Sequence, residues 1–115
     1  MTTLADRVPL AVPVTHAGLT RARIVPAIPT GTPGLYVAWS SRHTSYAVIH
    51  ASGRLVAYGW PCAKRATFAA EDYLLADSLD WTGSVESIRK VPYQVVMDVD
   101  AVITQHGGVF AHSLT

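Results

Sequence analysis

The stretch YQVVMDVDAVITQHGG, Tyr93 to Gly108, decides the fold. Val95, Val96, Val99, Val102 and Ile103 fit a helical period, which would make it one long amphipathic helix. Tyr-Gln-Val-Val-Met is nevertheless a poor helix start and a good strand, because β-branched and aromatic side chains favour a pleated surface. Pro92 also suits the start of a strand. From Val99 the spacing Val99, Val102, Ile103, His106 is i, i+3, i+4, i+7, closed by Gly107-Gly108 as a C-terminal stop. The expectation is a strand over 93–98 and a helix over 99–106. That places Asp98 and Asp100 at the end of a sheet.

Upstream, LYVAWSS (35–41), SYAVIHA (45–51) and RLVAYGW (54–60) are apolar, aromatic and β-branched runs separated by polar or Ser-Gly turns. Three strands with short links make an antiparallel meander. Pro61 can open a helix, and CAKRATFAAEDYLLADSL (62–79) has a helical period. Ala66, Ala69, Ala70, Tyr73 and Leu74 form one stripe, and Phe68, Leu75 and Leu79 form another. SVESIRKVP (84–92) is a short polar connection with room for a helical turn.

Residues 1–34 hold five of the seven prolines, so this segment is expected to be an extended arm. Its Val, Leu and Ile content points to docking, either on its own domain or on a neighbouring subunit. The domain proper is 35–108, and 109–115 is a short strand or a tail. With 115 residues there is enough chain for one core. A net charge of +1 excludes a strongly basic surface, although not a local patch. The lone Cys62 forms no intrachain disulfide, fits a reducing cytoplasmic setting, and reads best as a small core residue. The opening MTTLADRVPLAVPV is a poor signal peptide, and no segment has the ~18 apolar residues of a membrane span.

The order strand, strand, strand, helix, strand, helix over residues 35–108 resembles the ribonuclease H-like fold. LYVAWSS is similar to the family's first strand, SYAVIHASGRLVAYG to its second and third, residues 62–79 to its first helix, and YQVVMDVDAVITQHG to its fourth strand and second helix. The family's nucleases hold two divalent cations with a carboxylate cluster, and the ions activate water for phosphodiester cleavage. Here Trp39 stands at or beside the first aspartate, and Phe68 stands near the glutamate. Glu71 lies one turn later, and no acid occurs from Arg7 to Ala70. Asp98 matches the third position, and the fourth has no counterpart through Thr115. The resemblance therefore implies an α/β (α+β) module with a degenerate site.

The candidate catalytic residues are Asp98, Glu71 and Asp100, with Asp98 and Glu71 as metal ligands. No cofactor is expected otherwise, and Mg²⁺ or Mn²⁺ only if the chain is a nuclease. Simpler roles are also open: Asp98 as a helix N-cap, Asp100 at the positive end of the helix dipole, and Glu71 as a solvated edge. The five histidines show no zinc spacing, and phosphate-loop and serine-nucleophile motifs are absent. Trp39, Tyr46, Tyr58 and Trp60 are either a stacking platform for single-stranded nucleic acid or core. Arg42, His43, Arg54, Lys64 and Arg65 are the candidate phosphate contacts. Three functions follow as expectations: a non-catalytic module binding nucleic acid or a nucleic-acid-handling protein; a homo-oligomeric assembly protein that docks through residues 1–34; and a metal-dependent nuclease with a rearranged site.

Overall fold

Proline parity organises the N-terminal segment. A computed structural model describes residues 7–114; the first six residues of the expected arm and Thr115 lie outside them. The extended segment is a long β-hairpin of β1 (Val8–His16) and β2 (Leu19–Pro29). Ala17 and Gly18 have φ of 52° and 77°, the sign a two-residue hairpin turn requires. In the register, Pro9 faces Pro26 and Pro13 faces Ala22. These three prolines share one parity, so their missing N–H groups fall where the partner strand needs no donor. Pro9 and Pro13 also strip donors from the outer edge of β1, which discourages strand addition there.

The meander follows as β3 (Leu35–Ser40), β4 (Ser45–His50) and β5 (Leu55–Trp60). With β6 (Val109–Phe110) it completes a six-stranded, wholly antiparallel sheet in sequential order. Only Ile28 and Pro29 of β2 pair with β3, at Val37 and Tyr36. The rest of the hairpin is free to lie over one face of the meander. Four α-helices cover the other face: α1 (Ala63–Glu71), α2 (Tyr73–Ala76), α3 (Val85–Arg89) and α4 (Tyr93–Gln105). The result is a mixed α+β architecture. No helix among the described residues is long and apolar enough to cross a membrane.

The strand expected over 93–98 is not formed; Tyr93–Gln105 is unbroken helix. Its period outweighs its β-branched start: Val95 and Val96, half-buried, extend the stripe of Val99, Val102 and Ile103 that reaches the core, while Tyr93 and Met97 stay exposed, as they would not in a central strand. Pro92 stands at the N-cap with extended backbone, and Gly107 follows the C-cap with φ of 83°. The strand expected after the first long helix is therefore absent, and a helix stands in its place. Asp98 is consequently inside a helix and caps nothing.

The helix expected over 62–79 breaks at Asp72, whose backbone is extended. Asp72 caps α2 by accepting from Leu74 N–H at 3.0 Å. The break resets the helical phase. Ala66, Ala69 and Ala70 are buried as expected, but Leu75 replaces Tyr73 and Leu74 in the core, and Phe68 is exposed. The alanines let α1 approach the sheet closely. Cys62, expected in the core, is exposed at the N-cap of α1.

Trp60, Leu35, Leu75, Ile103, Val37, Val48, Val56 and Val99 are the largest fully buried side chains, all between sheet and helices. A bulge at Gly59 separates Trp60 from Tyr58, so Trp60 enters this core while Tyr58 faces the hairpin. Buried His50 accepts from Ser52 N–H at Nδ1 and donates from Nε2 to the Trp81 carbonyl at 2.9 Å, tying the β4–β5 turn to the loop after α2. Gly34 has φ of 93° and abuts that carbonyl so closely that a Cβ would lie 2.1 Å from it.

Candidate nucleic-acid interface

The second face of the meander is built from small residues. Ala27, Ala38 and Ala47 are buried there with Leu10 and Ile49, and Val12, Val25, Leu55 and Tyr58 pack around them. The hairpin crosses this face and touches the β4–β5 turn. At Gly53 an added Cβ would lie 2.2 Å from the Ala11 carbonyl oxygen. Between hairpin and sheet remains a cleft of about 720 Å³.

Val12, Val25, Ile49 and Leu55 supply its apolar lining, and Arg7, Arg23, Arg42 and His43 its polar one. Among the described residues no carboxylate borders it. None of the three arginines is in an ion pair among the described residues, where the one such pair is His106–Asp72. Residues 7–70 contain Arg7, Arg21, Arg23, Arg42, Arg54, Lys64 and Arg65 and no acid. Residues 71–115 contain seven acids and only Arg89 and Lys90 as cations. Lys64 and Arg65 stand on α1, so from α1 onward four cations face seven acids, while residues 7–60 carry five arginines and no acid. This division of charge favours anions on the hairpin side.

Aromatic groups divide between the two faces. His43 stacks on Tyr58 with centroids 3.9 Å apart, and its Nδ1 lies 2.9 Å from Ser40 Oγ. Trp39 touches the rim of the cleft and is half exposed, but its indole meets its cross-strand partner Tyr46 edge-on at 5.3 Å, and Tyr46 packs against the helix-side core, so the ring stands on that face. Trp60 is core. Of the six sequence-predicted nucleic-acid residues, Arg42 and His43 come together at the cleft and Trp39 only reaches its rim. Arg54 does not border it; its guanidinium reaches the Ser113 carbonyl at 3.5 Å. Lys64 and Arg65 are exposed on α1, where the Lys64 ammonium lies 5.7 Å from the Phe68 ring centroid. Arg7 and Arg23 were missed. Their signal was the hairpin itself, since alternation from Ala17-Gly18 puts Arg23 on the same face as Val25.

Each candidate metal ligand has a hydrogen-bond partner within the fold. Glu71 Oε2 accepts from Gly31 N–H at 2.5 Å, and Thr32 Oγ1 donates to the Ala70 carbonyl at 2.6 Å. Together they fasten the β2–β3 loop to the C-terminus of α1, satisfying a carbonyl that the helix leaves open. Asp98 accepts from Gln94 at 2.9 Å, and Asp100 from Thr104 at 3.2 Å. Two positions apart, these aspartates lie on nearly opposite sides of α4. Among the described residues no three His, Cys, Asp or Glu side chains gather to hold an ion.

The carboxylate with the clearest electrostatic setting is Asp72. A hydrogen bond from His106, at 2.8 Å, and the Leu74 N–H hold its pKa below the usual carboxylate value despite partial burial. The pair joins the α1–α2 break to the end of α4, where the His106 carbonyl also accepts from Trp60 Nε1 at 3.0 Å. Its setting is architectural and distant in the fold from the cationic cleft.

No family model, curated protein or solved structure matches the chain.

Proposed function

We propose that the chain is a non-catalytic module that binds single-stranded nucleic acid in the cleft between the β1–β2 hairpin and the meander. One observation carries this: Arg7, Arg23 and Arg42 converge, with His43, on a cleft that no carboxylate lines among the described residues. Guanidinium groups supply bidentate phosphate contacts, and the His43 ring, stacked on Tyr58, supplies a sequence-tolerant face for a base. The volume, about 720 Å³, falls in the range of roughly 300–1,000 Å³ typical of sites that enclose small ligands. That scale suits nucleotides threaded singly and not a duplex. Of the ribonuclease H-like resemblance, this function keeps only the three-strand-plus-helix order and discards the metal chemistry.

The test is anisotropy of a labelled single-stranded oligonucleotide across a salt series. Arg23→Ala with Arg42→Ala is expected to weaken binding and reduce the slope of log affinity against log salt by about 1.4, two phosphates' worth for a single strand. His43→Ala is expected to cost ~1–3 kcal/mol of affinity with little change in the salt slope. Arg54→Ala, outside the cleft, serves as the control. Affinity unchanged in the double variant, or lost equally in the control, would refute the assignment.

A further inference from the structure

A second surface, on the opposite side of the sheet, has the reverse character. α2 and α4 leave a groove of about 560 Å³ between them. Tyr73, Leu74, Val95 and Val102 give it apolar walls, and Asp77 and Asp98 give it negative charge. Tyr73 is 70% and Leu74 51% exposed, a large apolar exposure for a four-residue helix. Neither aspartate has a cationic partner among the described residues.

The chain carries a matching surface of its own. At the hairpin tip, Val14 pairs with Arg21 and His16 with Leu19, which places these side chains on one face. Leu19 is 62% and Val14 41% exposed, and no acid lies anywhere in β1 or β2. Apolar groups beside an arginine on the tip complement apolar groups beside carboxylates in the groove. Hairpin and groove lie on opposite faces of the same sheet, so they meet only between molecules. The competing mode of self-association, edge to edge along β1, is blocked by Pro9 and Pro13.

We infer that the α2–α4 groove receives the hairpin tip of a second copy of the chain. The contact joins two different surfaces, so it is head-to-tail and repeats from molecule to molecule. Leu19 and Arg21 do not border the cationic cleft but Val14, on the same face, does; Asp98, in the groove on the other side of the sheet, is the residue whose replacement separates self-association from nucleic-acid binding.

Sedimentation velocity on the full chain, from micromolar to millimolar concentration, tests it. The wild type is expected to self-associate, less so at high salt as charge attraction is screened. Leu19→Asp and Asp98→Arg should each return the chain to monomer. Each variant keeps one intact surface, so mixing the two should yield a heterodimer that grows no further. Circular dichroism melts check folding, and Arg21→Glu replaces Leu19→Asp if the latter melts early. A wild type that stays monomeric, variants that associate like the wild type, or a mixture that stays monomeric would each overturn the proposal.

Discussion

The two faces of the meander are covered in opposite ways. Beneath the helices, Trp60, Leu35, Leu75 and Ile103 interdigitate in a closed core. Beneath the hairpin, Ala27, Ala38 and Ala47 leave a thin apolar layer and an open cleft. The same three strands build both, because alternation sends Leu35, Val37, Val48 and Val56 one way and Ala38, Ala47 and Ile49 the other. Stability is thereby concentrated on one side, and the other is left accessible for cationic side chains. A small residue on a sheet here signals space above it as much as close packing.

The largest expected effect tests that asymmetry directly. Trp60→Ala should cost ~3–5 kcal/mol, since it removes the largest buried side chain and the hydrogen bond to the His106 carbonyl. Ile49→Ala, beside the cleft, should cost ~2 kcal/mol, the low end for such truncations, because the site is already open. Urea titrations give both numbers, and equal losses would erase the contrast between the faces. Next in size is Gly53→Val. Its φ of 88° and the Ala11 backbone against it leave no place for a side chain. A loss of ~1–3 kcal/mol is expected. Amide exchange should accelerate in Val8–Pro29 while β3 and α1 stay protected. Uniform acceleration would mean that hairpin and meander unfold as one unit. The smallest effect concerns Asp72. Its native pKa is lowered, so its contribution is complete above the ordinary carboxylate value of about 3.9. It is lost as pH falls through the lowered native value. Asp72→Asn should therefore flatten the acid limb of the stability–pH curve by no more than ~1 kcal/mol. An unchanged limb would show that the His106 contact contributes nothing.

What could be read from the sequence follows the strength of local signals. LYVAWS, SYAVIH and LVAYGW emerged within a residue or so at each end, because β-branched runs bounded by turns leave little choice. The start of α1 and the Gly107 stop were legible for the same reason. Two features were not. At Tyr93–Asp98, local β preference opposed helical period; the stretch lies at the surface, with only Val95 and Val96 half-buried in line with the Val99 and Val102 stripe, and that placement decided for the helix. At Asp72, a cap and a histidine 34 residues later break a helix whose own sequence would continue. Half of the cleft was visible, as Trp39, Arg42 and His43 sit beside recognisable strands. The other half depended on seeing Ala17-Gly18 as a hairpin turn within a segment whose prolines argued against a sheet.

Every strand in this sheet lies beside its predecessor in the chain. No later segment must be inserted between two strands already paired, so assembly can proceed vectorially, each strand adding to a finished edge. Such neighbour-to-neighbour pairing keeps loop-closure costs low and favours rapid folding. During synthesis the cationic layer would emerge first, before the acidic helices that seal its other side, and it would be the part most in need of shielding from passing polyanions.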